Sequence, residues 1–429
     1  MIRLVALLAS LMLLVAACGG DEPDDATAPA DEATEDAAAP ADEATEDAGA
    51  ATDDDSGATE DAAEPTDGAT EDVAAGDEGG DCTLDEPVPV GVVFSQTAGA
   101  AVYGVSQTAA VELAAEELNA EGGVTYDLII EDDATDPAQG ITAYERLIEQ
   151  EQVSILIGPT LSNVFFSAGP VAQEFGVPAL GVSTTADGIT EIGDYIFRDS
   201  LTEAQVTPNT FADSPESLGL ERVALLYSDN DAFTVSGFEI FEQAVEEQGL
   251  EVTSTETFAT GDTDFSAQLT AVANNEPDAL FVSALAEEAA LLLTQARDLG
   301  LDVPVVGGNG FNSPAIIDQA GEAAEGVIVG AAWNAAADDE ANEAFKSAYE
   351  EATGRAPDQF AAQAYTGMKL IARAVESACS ADRDAIRDAM EGLQGVDTIL
   401  GEFSFTDGRD ADHTGVTQVV EDGSFALLD

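Results

Sequence analysis

Histidine, the side chain best suited to moving protons near neutral pH, occurs once in this 429-residue chain, at His413. It lies in the polar stretch DGRDADHTG close to the C-terminus. One imidazole forms neither an HExxH motif nor any other histidine cluster for a metal. No GxSxG elbow occurs, so a nucleophilic triad would have to bring His413 itself beside a serine. There is no GxxxxGK[ST] loop, and Gly307-Gly308-Asn309-Gly310 lacks the GxGxxG spacing. Carboxylate pairs are plentiful, but among 86 acidic residues they arise by chance. Asp407, Asp410 and Asp412 could hold a cation loosely; the turn reads as a solvated one. The residues predict no enzyme, no metal site and no cofactor.

Cysteine occurs three times, at Cys18, Cys82 and Cys379. The first follows a short positive start at Arg3 and an apolar run from Leu4 to Val15. That run is too short for a membrane span, which needs roughly twenty residues, and suits the core of a secretory signal. Val15-Ala16-Ala17-Cys18 resembles a bacterial lipobox, so residues 1–17 read as a lipoprotein signal peptide and Cys18 as the lipidated first residue of the mature chain. Two or three acyl chains would make that anchor effectively permanent, where a single chain holds only marginally. The alternative is a chance cysteine behind an ordinary signal peptide.

Residues 18–81 form a second compositional zone. Positions 21–81 contain 24 Asp and Glu and no Lys or Arg, and APADEATEDA occurs at 28–37 and again at 39–48. Such a segment buries too little apolar surface to offset chain entropy, and its like charges repel. It reads as a disordered acidic tether. The remainder is acidic as well, with only two lysines, Lys346 and Lys369. That balance argues against nucleic acid or anionic lipid as partners. It fits a protein kept hydrated in concentrated salt, with high-GC codon bias as the alternative source.

The chain from Cys82 to Asp429 alternates apolar runs with amphipathic stretches. Strand-like runs occupy 88–94, 127–130, 153–157, 177–182, 223–227, 279–282 and 303–306. They lack period-two alternation, as strands covered on both faces of a parallel sheet do. Between them, apolar residues at helical spacing (Ile141, Tyr144, Leu147 and Ile148; Ala289, Leu292, Leu293 and Ala296) mark one stripe per helix. The alternation predicts βαβ units and doubly wound α/β sheets, and the length predicts two lobes. Ligands of such folds sit beyond the carboxyl ends of the strands.

Seven stretches now stand in order: LNAEGGV (118–124), EDDATDPAQG (131–140), ILIGPT (155–160), EFGVPALGVSTTA (174–186), GDTDFSAQL (261–269), QARDLGL (295–301) and EGVIVG (325–330). Together they make the chain similar to the branched-chain amino-acid-binding family of ABC-transporter substrate-binding lipoproteins, with the type I periplasmic-binding-protein fold. The resemblance implies two doubly wound parallel-sheet lobes joined by three crossovers, near Arg198–Thr202, Gly330–Asn334 and Thr398–Gly401. Lobe one would hold 82–199 and 333–398, and lobe two 200–332 and 399–429. It implies a monomeric extracytoplasmic receptor, anchored by lipid to the bacterial cell membrane, that closes on a small amino-acid-like or amide/carboxylate solute and delivers it to an ABC permease. A sensing lipoprotein that signals to a receptor, and a structural surface lipoprotein, are the alternatives.

The same resemblance implies ligand residues. Ser162 and Thr185 take carboxylate positions on two loops of lobe one, chemically apt because short hydroxyls at helix N-termini suit an anion; both could instead be plain N-caps. Ser183 offers its carbonyl and hydroxyl to an ammonium group, and the Tyr103 ring shields the ligand. Phe233 stands near a family Tyr, and Leu285 replaces another. Where the family's amino-acid binders carry an acid for the ammonium, this chain has Asn309, which cannot compensate a buried cation. Either Asp229, Asp231 or Glu287 takes over, or the ligand is not a simple amino acid. Trp333, the sole tryptophan, serves hinge packing or ligand stacking. With Cys18 lipidated and the protein outside the reducing cytoplasm, Cys82 and Cys379 should pair on the edge of lobe one distal to the cleft; two unpaired buried thiols are the alternative.

Overall fold

The structure is a computed structural model that describes residues 82–207, 210 and 219–428. The expected signal peptide, Cys18 and the acidic tether lie outside the described residues. The first lobe begins with β1 (Val88–Phe94), α1 (Ala101–Glu121), β2 (Tyr126–Asp132), α2 (Pro137–Glu149), β3 (Ile155–Ile157), α3 (Ser162–Phe175), β4 (Ala179–Gly181) and β5 (Ile196–Arg198). Its strands make one parallel sheet in the order β2-β1-β3-β4-β5.

The continuous apolar runs have the predicted cause. Val90, Val92, Ile155 and Ile157 face the layer of α1, whereas Val93, Leu156 and Ala179 face α2 and α3. A strand buried on both faces has no polar side to alternate with.

The chain crosses to a second sheet through a helical turn at 203–207. There follow β6 (Arg222–Ser228), α4 (Ala232–Gln248), β7 (Glu251–Phe258), α5 (Ser266–Asn274), β8 (Ala279–Ser283), α6 (Ala286–Asp298), β9 (Val305–Gly307), α7 (Pro314–Ala320) and β10 (Ile328–Ala331). The chain then returns to lobe one as α8 (Glu340–Thr353), α9 (Gln359–Ala378) and α10 (Arg383–Glu391), where α9 lies along α1. The acidic composition is put to local use here. α2, α4, α8, α9 and α10 each start behind an aspartate, at Asp136, Asp231, Asp339, Asp358 and Asp382, whose carboxylate accepts from a first-turn N–H.

The last passage between lobes lies later in the chain than the 398–401 expected. β11 (Val396–Thr398), β12 (Gly401–Phe405) and β13 (Ala411–Asp412) form a small antiparallel sheet of their own. Phe403, Phe405 and Ala411 pack into the core of lobe one, and the Phe405 ring meets Phe197 at 5.3 Å. Arg198, almost fully buried, donates from Nε to Asp410 Oδ1 at 2.6 Å and pins this sheet to the end of β5. Residues 399–412, expected in lobe two, therefore belong with lobe one. The chain joins the second sheet at β14 (Val416–Glu421) and β15 (Ser424–Leu427), which run antiparallel at its edge in the order β15-β14-β10-β9-β8-β6-β7.

Cys82 and Cys379 are disulfide-bonded with Cα atoms 5.5 Å apart, across a sequence separation of 297. Cys379 occupies the left-handed C-cap of α9.

Candidate functional site

The carboxyl ends of β1, β3 and β4 in one lobe face those of β8 and β9 in the other, and a cavity lies between them. It is small and is lined from lobe one by Tyr103, Ser162 and Ser183, and from lobe two by Phe233, Leu285 and Asn309. Phe360 at the start of α9 also lines it, with its ring centroid 4.4 Å from that of Tyr103.

The loop after β3 passes close beneath this wall. Gly158 has φ 102°, and a Cβ there would fall 1.9 Å from the Val93 carbonyl oxygen, so only glycine fits. The loop leads to Leu161 at the N-cap of α3, which supplies no side-chain cap. Ser162 is therefore the first helical residue and not the cap; its Oγ instead accepts from the Ala186 N–H at 3.3 Å. The α3 N-terminus faces the cavity without a side-chain cap of its own, an arrangement that favours an anion.

Ser183 is differently employed. Its hydroxyl donates to the Thr160 carbonyl at 2.6 Å and accepts from Gln107 Nε2 at 2.7 Å. Thr160 Oγ1 in turn donates to Gln107 Oε1 at 2.7 Å and accepts from the Ser95 N–H at 3.0 Å. This closed chain of bonds locks three strand ends together and commits the one hydroxyl proton of Ser183 inward.

Thr185 and Trp333 stand apart from the cavity. Thr185 Oγ1 donates to Glu203 Oε1 at 3.4 Å. Trp333 is buried, donates its indole N–H to Asn342 Oδ1 at 2.9 Å and packs edge-on to Phe345. The three carboxylates considered as substitutes at the cavity are elsewhere too. Asp229 and Glu287 are exposed. Asp231 is buried, and its oxygens serve the Thr234 N–H at the cap of α4 and Asn163 Nδ2.

Several contacts cross from lobe to lobe. The buried Tyr103 hydroxyl donates to the Gly310 carbonyl at 2.8 Å; burial raises its pKa, so it stays a donor. Gly310 is itself required, since a Cβ would lie 2.3 Å from the Ala284 carbonyl oxygen. Asn163 donates from Nδ2 to Asp231 Oδ2 at 2.6 Å and accepts the Ala232 N–H at 2.7 Å. Asp187 N–H donates to Ser236 Oγ at 3.1 Å. Ala100, Tyr103, Leu161 and Phe360 of lobe one share an apolar cluster with Phe233, Leu285 and Phe311 of lobe two. The lobes are closed on one another.

Sequence reasoning missed Asn163, Gln359, Phe360 and Glu203. Asn163 adjoins Ser162 and could have been flagged by that neighbourhood. Glu203 had no local signal. It is fully buried and accepts from the Asn309 N–H at 3.2 Å as well as from Thr185, and burial pushes its carboxyl up to about 7.

Residues 87–424 match the family model described as periplasmic binding protein. The chain belongs to that family. Within it, the relatives place the chain in the branched-chain amino-acid-binding, type I branch. It is 26% identical over 329 residues, 76% of this chain and 87% of the relative, to the leucine-, isoleucine-, valine-, threonine- and alanine-binding protein of Pseudomonas aeruginosa. Among solved structures it is similar to the branched-chain amino acid transporter substrate-binding protein LivJ of Streptococcus pneumoniae in complex with isoleucine, with TM-score 0.75, 27% identity and coverage of 79% of this chain and 98% of that one. A solute-binding protein of an ABC transporter from Rhodopseudomonas palustris, in complex with 3,4-dihydroxybenzoic acid, aligns with TM-score 0.73, 26% identity and coverage of 79% and 95%. Members of this family are substrate-binding proteins and not enzymes, and they work outside the cytoplasm. Among the described residues no helix is long and apolar enough to cross a membrane.

Proposed function

We propose that this periplasmic binding protein is the solute receptor of an ABC importer. It takes a small amino-acid-like, amide or carboxylate solute into the interlobe cleft, closes over it, and offers a face built from both lobes to the permease. The observation that carries this reading is the cavity walled from both lobes and held by the Tyr103, Asn163 and Asp187 bonds, which can form only when the lobes meet. A solute drives closure only through contacts it makes better in the closed state, and a wall split between two lobes supplies such contacts.

In this reading the first turn of α3, with Ser162, holds the carboxylate. Thr185 steadies the loop beside it through Glu203, and Tyr103 and Phe233 cover the apolar part. The isoleucine of the Streptococcus pneumoniae protein and the 3,4-dihydroxybenzoic acid of the Rhodopseudomonas palustris one, both small carboxylates, support the solute class. Residues 1–17 direct export, Cys18 carries the lipid, and the acidic tether lets a monomeric receptor range over the membrane surface.

Thermal-shift screening of a metabolite library against the full chain, followed by small-angle scattering, tests the reading. A bound solute should raise Tm and reduce the radius of gyration. An unchanged radius at saturation refutes the trap. Mass spectrometry of the mature N-terminus tests the anchor separately, and a free Cys18 thiol in exported protein refutes it.

A further inference from the structure

Asn309 is nine-tenths buried and lines the cavity, and the orientation of its amide follows from a chain of bonds that begins at the backbone. The Ala332 N–H can only donate, and it donates to Gln359 Oε1 at 2.6 Å. Gln359 must then turn its Nε2 outward, where it donates to Asn309 Oδ1 at 2.6 Å. Asn312 Nδ2 donates to the same oxygen at 3.4 Å. With Oδ1 so engaged, the Asn309 NH2 group has no partner among the described residues. It is a donor held at the cavity wall.

The rest of the wall agrees in sign. No carboxylate of the described residues lines the cavity, and Leu161, Leu285, Phe233, Phe360 and Tyr103 make most of it apolar. The Tyr103 hydroxyl is spent on Gly310, and the Ser183 hydroxyl proton on Thr160. Opposite Asn309 stands the α3 N-terminus, which has no side-chain cap. An ammonium group entering here would meet a second set of N–H donors and no anion, which leaves a buried charge unpaired.

We propose that the solute is an amine-free carboxylic acid carrying a second hydrogen-bond acceptor, a keto or hydroxyl oxygen, beside an apolar chain or ring; this assignment rests on the receptor reading above. The carboxylate lies at Ser162 and the first turn of α3, the second oxygen accepts from Asn309 Nδ2, and the apolar body lies among Phe233, Leu285 and Phe360.

One acidic group stands behind this wall. Glu203 reaches the Asn309 N–H and the Thr185 hydroxyl but does not line the cavity. Were it to compensate an ammonium through Thr185, the assignment would fail, so the experiment includes it.

Calorimetry on the full chain with matched pairs decides the matter: 4-methyl-2-oxopentanoate against L-leucine, and 3-phenyl-2-oxopropanoate against L-phenylalanine. The oxo acid of at least one pair should bind about tenfold or more tightly than its amine, the factor that a hydrogen bond lost or a charge left unpaired produces. Asn309→Asp, which exchanges the NH2 donor for an anionic oxygen at equal size, should reverse the order within that pair. Asn309→Ala should erase the preference of 4-methyl-2-oxopentanoate over 4-methylpentanoate, and serves if Asn309→Asp fails to fold. Tighter binding of the amines by the wild type overturns the assignment. If Glu203→Gln then abolishes amine binding and spares 4-methylpentanoate, the charge comes from Glu203. Binding of another solute with neither oxo-acid nor hydroxy-acid binding overturns the assignment and leaves the receptor reading standing, whereas no small solute at all overturns both.

Discussion

Asn163 is the residue whose replacement best isolates lobe closure. Its amide joins lobe one to lobe two twice, through Nδ2 to Asp231 Oδ2 at 2.6 Å and through Oδ1 to the Ala232 N–H at 2.7 Å. Neither bond can exist when the lobes part, and both partners are then solvated, so Asn163→Ala should weaken the closed state and leave the open one alone. A bond to a charged group contributes roughly 1.5–3 kcal/mol and a neutral one about 1 kcal/mol, for a sum of about 2.5–4 kcal/mol. Asn163 is only half-buried, so water competes and the lower end applies. Because binding is coupled to closure, that loss should weaken affinity by roughly 50-fold or more. Asp231→Ala is a less clean perturbation, since Asp231 Oδ1 also caps α4 through the Thr234 N–H at 3.0 Å. Calorimetry with the best solute from the library screen reads the affinity, and scattering reads the closed fraction. An affinity within threefold of wild type, with thermal stability unchanged, would show that Asn163 does not latch the lobes.

Ser162→Ala should weaken binding of a carboxylate solute by roughly ten- to a hundredfold, the effect of one bond to a charged group, and calorimetry showing less than threefold would move the anion elsewhere. Replacing Cys82 and Cys379 by Ser should lower Tm by several degrees, because opening a loop of 297 residues restores chain entropy equivalent to roughly 5–6 kcal/mol at most; equal Tm values with and without reductant would refute it. Stability should rise on acidification from pH 8 to pH 5. Burial holds Glu203 at about 7 and Asp358 at about 6, above their ordinary 4.5 and 3.8, so the folded state binds more protons across that window. Each contributes about 3 kcal/mol, fully present below its unfolded pKa and lost as pH rises through the folded one. Urea midpoints at the two pH values measure the gap, which Glu203→Gln should narrow; an unchanged gap would mean that Glu203 does not titrate there.

Much of this molecule is legible in its residue order, because burial patterns are local. An apolar run such as Val88 to Phe94 states that both faces of its strand are covered, and a stripe such as Ala289, Leu292, Leu293 and Ala296 states which side of its helix is inward. From these the α/β class, the alternation of strand and helix and the two lobes follow without coordinates, whereas the loops of the cleft came from the family resemblance. The direction of a hydrogen bond does not follow, since it depends on partners far away in the chain. Ser183 reads as a free hydroxyl until Gln107 and Thr160 are placed 76 and 23 residues away. Asn309 reads only as a missing acid until Gln359, 50 residues on, turns its amide donor toward the cavity. Glu203 enters the site from 106 residues before Asn309, by a crossover whose path no periodicity encodes. Phe403 and Phe405 announce a buried strand face, but both lobes offer apolar surface, and only the position of Phe197 and the Arg198–Asp410 pair decides for lobe one. Local patterns state that a side chain is covered; tertiary contacts decide by what.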